Sequence, residues 1–177
     1  MGFFDKFFGK NKSQKNQNLK QPVLVEEKES IQVDFHVSTL IVDTLPFELM
    51  LNMVLLDKSV RTNFTWVWFI TLQAFETDSQ GLPVTEEKEK LTKIMQLVIQ
   101  NIIKTSNILI VGTTTYKGIY EIMFYGMEAD TKEIGGTIAG LPEFVEDKKG
   151  RFLNYTGNKD ENWEKVKEYY ELSTTNG

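Results

Sequence analysis

The chain has 177 residues, no cysteine, one histidine and a net charge of −5. Disulfides, thiolate chemistry and a multi-histidine metal site within one chain are thereby excluded, and a nucleic-acid surface covering the whole body is disfavoured. The length predicts one domain with tails, and 41% apolar with 12% aromatic residues are enough for a core.

The charge is uneven. Residues 1–20 carry five lysines against Asp5, a balance of +4, so that −9 of the net −5 falls on the remainder. Residues 1–10, MGFFDKFFGK, read as an amphipathic segment. Phe3, Phe4, Phe7 and Phe8 fall on one side of a helix, Asp5 and Lys6 lie opposite, and Lys10 follows. The expected contact is an anionic membrane surface or a protein partner. Lys6 stands where a myristoylation motif needs serine or threonine. No apolar run approaches the ~20 residues of a membrane span, and the apolar start is too short for a secretory signal. The expectation is a cytoplasmic protein whose head touches the inner face of the membrane. Residues 11–30, lysine- and glutamine-rich and broken by Pro22, read as a polar linker.

Residues 31–172 are expected to form a single α+β domain, with residues 173–177 as a tail. Ile31 to Val42 alternates with a period of two, which predicts a half-buried strand. Ile31, Val33, Phe35, Val37 and Ile41 are expected inward; Gln32, Asp34, His36 and Ser38 outward. Asp34, His36 and Ser38 form no relay: alternate residues on a strand stand roughly 6.5–7 Å apart, too far for a nucleophile–base hydrogen bond. Phe47 to Leu56 fits a strand or a helix, with strand preferred. Phe64 to Phe75 predicts a central strand, with Trp66, Trp68, Ile70 and Leu72 on one face and Val67, Phe69, Thr71 and Gln73 on the other.

Gly81-Leu82-Pro83 breaks the chain, and Thr85 is expected to cap a helix running to Lys104. Leu91, Ile94, Met95, Val98 and Ile102 recur at the helical period. Ile108–Thr115 and Ile119–Tyr125 read as a hairpin turning at Lys117-Gly118, where glycine supplies a positive φ. Glu121 is expected to face solvent. Gly112 to Thr115 matches no nucleotide-binding spacing. Residues 128–139 read as a helix weakened by Gly135-Gly136, and Arg151 to Thr156 as a short strand. Asp160 caps a last helix, with Trp163, Val166 and Tyr170 on one side. Strand, helix, strand, strand, helix, strand is the ferredoxin-like βαββαβ order. Helices would cover one face of an antiparallel sheet, with further strands N-terminal to it.

Some of these residues resemble a known family. Gly81-Leu82-Pro83 with Glu86, Glu87 and Leu91 looks like the opening of the helix in the bacterial domain of unknown function 695. Val111-Gly112, Thr115, Gly118 and Phe124-Tyr125 resemble its hairpin; Asp160, Trp163 and Tyr169 resemble its closing segment. The likeness spans Phe47 to Leu172. That family is similar to the B-type inhibitors of ribonuclease E, which implies a ferredoxin-like fold and protein binding rather than chemistry. Gly81, Pro83, Gly112, Gly118, Tyr125, Asp160 and Trp163 are then structural positions. No catalytic residue, cofactor or metal is implied.

The function expected is a non-catalytic interaction or regulatory module with an unidentified protein partner. A single-stranded RNA binder lacks the basic, aromatic strand signature of that class, and nucleic acid is not expected as a partner. An enzyme would have to draw on His36, Glu121 and scattered acids, which form no convergent set in the sequence.

Overall fold

A computed structural model describes residues 33–140 and 153–175. The segment 1–10, including Phe3, Phe4, Lys6, Phe7, Phe8 and Lys10, and the linker 11–30 lie outside the described residues. β1 (Phe35–Val42) and β2 (Leu45–Asn52) form a hairpin. Its turn residues Asp43 and Thr44 both take positive φ, 50° and 69°, the turn geometry whose twist matches paired strands. The ambiguous run from Phe47 is therefore strand as far as Asn52. It then becomes a 3-10 turn, Met53–Leu56, and a second follows at Lys58–Arg61. β3 (Phe64–Gln73), α1 (Thr85–Thr105), β4 (Ile108–Tyr116), β5 (Ile119–Met127), α2 (Thr131–Ala139), β6 (Leu153–Lys159) and α3 (Glu164–Thr175) complete the order. Ser173 is buried in α3 and belongs to that helix rather than to a tail.

The six strands form one antiparallel sheet in the order β1-β2-β4-β5-β3-β6. Within it, α1 links β3 to β4 across the intervening β5, and α2 links β5 to β6 across β3. That is the split βαβ arrangement, so the fold is α+β and ferredoxin-like. The β1–β2 hairpin is added beside β4.

Side-chain alternation separates the two faces. Trp68, Ile70 and Leu72 of β3 lie with Tyr120, Ile122 and Phe124 of β5 on the face that α1 and α2 cover. Leu91, Met95, Val98, Ile99 and Ile102 of α1 are buried; each contributes about 1.5–3 kcal/mol relative to exposure. Val84 rather than Thr85 occupies the N-cap, and no side chain caps there. Instead the Glu87 carboxylate, in the first turn, accepts the backbone N–H of Phe75 at 2.8 Å. Trp163, Val166 and Tyr170 pack with Leu49, Leu51, Val67, Met123 and Tyr125 on the other face, so α3 lies opposite α1 and α2.

Phe35, partly buried, and His36, exposed, lie as the sequence predicts, but from Val37 on β1 has the opposite phase. Leu40 is buried, while Val37 and Ile41 are 67% and 72% exposed. They share the α1 side of the sheet, but α1 reaches only as far as β2, where Lys88 bonds to Glu48. The strand itself runs from Phe35, shorter than the alternating pattern.

Candidate functional site

The motif residues Tyr125, Asp160 and Trp163 come together at one end of the α3 face. Asp160 follows β6 and caps α3: its Oδ1 accepts from the Glu164 N–H at 3.0 Å and its Oδ2 from Lys165 N–H at 2.9 Å. The same Oδ2 accepts the Tyr125 hydroxyl at 2.5 Å. The capping carboxylate thus ties a helix start to the middle of the sheet, and three donors satisfy its burial. Burial pushes the Tyr125 phenol far above the ordinary tyrosine range, and its bond to Asp160 pushes it further.

Trp163 folds back over this bond. Its φ of +60° is left-handed, a conformation that costs of order 1–3 kcal/mol for a bulky residue. Its ring lies on Tyr125 with centroids 3.7 Å apart, and its Nε1 donates to the Phe64 carbonyl at 2.8 Å. Those contacts offset the strain and fix the indole.

Arg61 completes the stack from the solvent side. The second 3-10 turn carries it, and Asp57 starts that turn by accepting from Ser59 N–H at 2.9 Å. The first 3-10 turn, just before it, is anchored at Asn52, which is buried, accepts from Val54 N–H and donates to the Ile110 carbonyl, while the Tyr170 hydroxyl donates to the Asn52 carbonyl. Arg61 Nε donates to the Leu55 carbonyl. Its guanidinium lies 4.6 Å from the Trp163 ring centre and 6.0 Å from that of Tyr170, within cation–π range. No carboxylate among the described residues forms an ion pair with it. Two adjoining clefts of about 380 and 310 Å³ share Lys58, Arg61, Asn162 and Trp163 in their walls. The site is therefore a positioned, half-buried guanidinium on an aromatic floor, with Lys58 beside it and Glu161, Glu164 and Glu171 also in the cleft walls. It can bind an anion through paired N–H donors. Among the described residues it holds no nucleophile–base pair.

The other singled-out positions lie elsewhere. Gly81, at φ +80°, and Pro83 shape a turn that docks on the β4–β5 hairpin, where Gly118 N–H donates to the Gly81 carbonyl at 2.7 Å. Gly112 lies against β2, where a Cβ would meet the Met50 carbonyl oxygen at 1.9 Å. His36 is exposed on β1. Glu121 is half-buried rather than solvent-facing, near the hydroxyl of Thr114 at 3.5 Å, because it faces the α3 side of the sheet. Thr113, Thr114 and Thr115 are buried within β4. Among the described residues no three metal-ligating side chains converge, and no helix is long and apolar enough to cross a membrane.

Arg61 is a residue that the sequence analysis does not single out. The available signal was its type: it is one of two arginines among 20 basic residues, and arginine, unlike lysine, stacks on aromatic rings.

In comparisons with curated proteins and with solved structures, nothing matches. A family model described as "Family of unknown function (DUF695)" does match, over residues 34–170. That span holds the whole sheet and the Tyr125–Asp160–Trp163 cluster and far exceeds half of the sequence, so the chain belongs to the family of unknown function DUF695.

Proposed function

We propose that the chain is a non-catalytic protein-interaction module that receives an acidic group of a protein partner at Arg61. The observation behind this is the guanidinium itself, which forms no ion pair among the described residues: an acidic protein holds a half-buried arginine by its Nε and its flat face in the wall of a cleft. A carboxylate matches that fork, and Leu56 and Trp163 add apolar walls. A regulatory role, and the kinship with inhibitors of ribonuclease E expected from the sequence, belong to the same proposal. So does a tether: Phe3, Phe4, Phe7 and Phe8 with Lys6 and Lys10 suit an anionic membrane surface, and would keep a cytoplasmic protein at the inner face.

Trp163 reports on the site through its fluorescence. A glutamate-rich peptide is expected to change the emission of the wild-type chain and to leave that of Arg61→Gln unchanged, with both folded by circular dichroism. No response in the wild type would reject the Arg61 site. A response to single-stranded RNA alone, lost in Arg61→Gln, would move the assignment to RNA. For the tether, flotation with anionic vesicles is expected for the full chain and lost on removal of residues 1–20.

A further inference from the structure

β1 is the edge of the sheet, paired only with β2 among the described residues. The Met53 N–H donates to the Asp34 carbonyl at 2.7 Å, and the register continues without a shift from Phe35↔Asn52 to Val42↔Leu45. In an antiparallel pair, alternate residues turn both backbone groups to the partner. Asp34, His36, Ser38, Leu40 and Val42 therefore face β2. The N–H and C=O groups of Val37, Thr39 and Ile41 point away from the sheet.

Edge strands are usually protected by charge, proline, a bulge or short length. β6, at the other edge, has a charge at Lys159 and the poor strand formers Asn154, Gly157 and Asn158. Within Phe35–Val42, β1 has no acidic or basic residue other than His36, no proline and no bulge, and it is eight residues long. Its eight residues, FHVSTLIV, carry no formal charge at neutral pH with His36 neutral. Its two most exposed apolar side chains, Val37 and Ile41, flank Thr39 on one face.

That arrangement is self-complementary. The geometry points to a second copy of this chain as the occupant of the edge, with β1 pairing antiparallel to β1 about a twofold axis at Thr39. Thr39 then faces Thr39 of the second copy, and Val37 faces Ile41 of the second copy, twice. All of these residues have outward backbone groups, so each pair exchanges ladder hydrogen bonds, and the apolar pairs bury the stripe that β1 leaves in water. Asp43 falls opposite Phe35 of the second copy, and Asp34 opposite Thr44, so no acid faces an acid. The contact is isologous and closes at two copies, giving one continuous sheet of twelve strands from two of six. A foreign peptide would need a matching pattern; a second copy supplies it. One strand pair lies at the small end of interface sizes, so the dimer is a weak one.

The chain has no cysteine, which makes cross-linking specific. Residues directly opposite in a ladder lie within disulfide reach, with Cα atoms about 5.5 Å apart. Full-length Thr39→Cys is expected to form a covalent dimer on mild oxidation, while Thr156→Cys, exposed on the opposite edge, stays monomeric. By sedimentation at rising concentration the wild type passes from monomer to dimer, and Val37→Lys remains monomeric with an unchanged melting temperature, since Val37 is exposed. A wild type monomeric at every concentration overturns the proposal. So does a Val37→Lys chain that dimerises like the wild type, or equal cross-linking at both cysteines.

Discussion

The rings of Tyr125 and Trp163 lie face to face, 3.7 Å between centroids and 2° from parallel. One comes from the centre of the sheet and the other from the turn before α3. Between them they carry the Asp160 cap and the Arg61 guanidinium, so the stack links the core to the proposed binding site.

Tyr125→Phe keeps the stacked ring and removes one of three donors to the Asp160 carboxylate. The expected loss is about 1.5–3 kcal/mol, the range for hydrogen bonds to charged groups. Urea unfolding followed by circular dichroism measures it. Phenylalanine at 125 with no loss would mean that the two backbone donors alone satisfy Asp160.

Alkali should unfold this protein through its buried phenols. Burial raises Tyr120, Tyr125, Tyr169 and Tyr170 above the usual value of 10.0. In each case the folded pKa exceeds the unfolded one, so their contribution is complete below about pH 10 and declines as pH rises toward the folded values. The melting temperature is expected to fall steeply above pH 10, and less steeply in Tyr125→Phe. Parallel alkaline slopes for the two chains would show that Tyr125 carries no such linkage.

The core was legible in the sequence where one periodicity prevailed over a long run. α1, β3 and the β4–β5 hairpin follow from apolar spacing and from Gly118, whose φ of +74° is the turn's need made visible. The phase of β1 was not legible. Both of its faces hold apolar residues, and which one is buried depends on how far α1 extends across the sheet, a tertiary fact. The face chosen by α3 was hidden for the same reason. Asp160, Trp163 and Tyr125 were each identifiable, but their meeting was not, since 35 residues separate Tyr125 from the carboxylate it bonds. Arg61 joins them from a connector with no periodicity at all.

Two glycines should respond in opposite directions. A Cβ at Gly112 would strike the Met50 carbonyl oxygen of β2 at 1.9 Å, and backbone on both sides leaves little room to yield. Gly112→Ala is expected to cost about 3 kcal/mol or more and to loosen β2 from β4. Gly136 lies exposed in α2 with nothing within 4 Å of a Cβ, so Gly136→Ala should stabilise by about 0.5–1 kcal/mol. Thermal melts of the two variants beside the wild type decide both; a tolerated alanine at 112 would contradict the close β2–β4 approach.

Glu121 offers a test whose sign depends on pH. It stands half-buried on β5 between Thr71 and Thr114 in the ladder. Burial raises its pKa above the ordinary 4.5, and the distant Thr114 hydroxyl offsets this only in part. No cation among the described residues pairs with it. A raised folded pKa means that the native state binds this proton more tightly than the unfolded chain does. The associated stability is complete below the unfolded value and is lost as pH rises through the folded one. At neutral pH the protein therefore carries an ionised carboxylate in an unfavourable place, and the same charge keeps the neighbouring Tyr169 phenol raised. Glu121→Gln removes the charge and keeps the shape. Its melting temperature is expected to exceed that of the wild type at pH 7, and the gap to close as pH falls toward 4.5, where Glu121 is itself becoming neutral. A gap of constant size across that range, or a less stable variant at pH 7, would mean that the carboxylate has a favourable partner, and Glu121 would then be a second candidate binding residue on the α3 face.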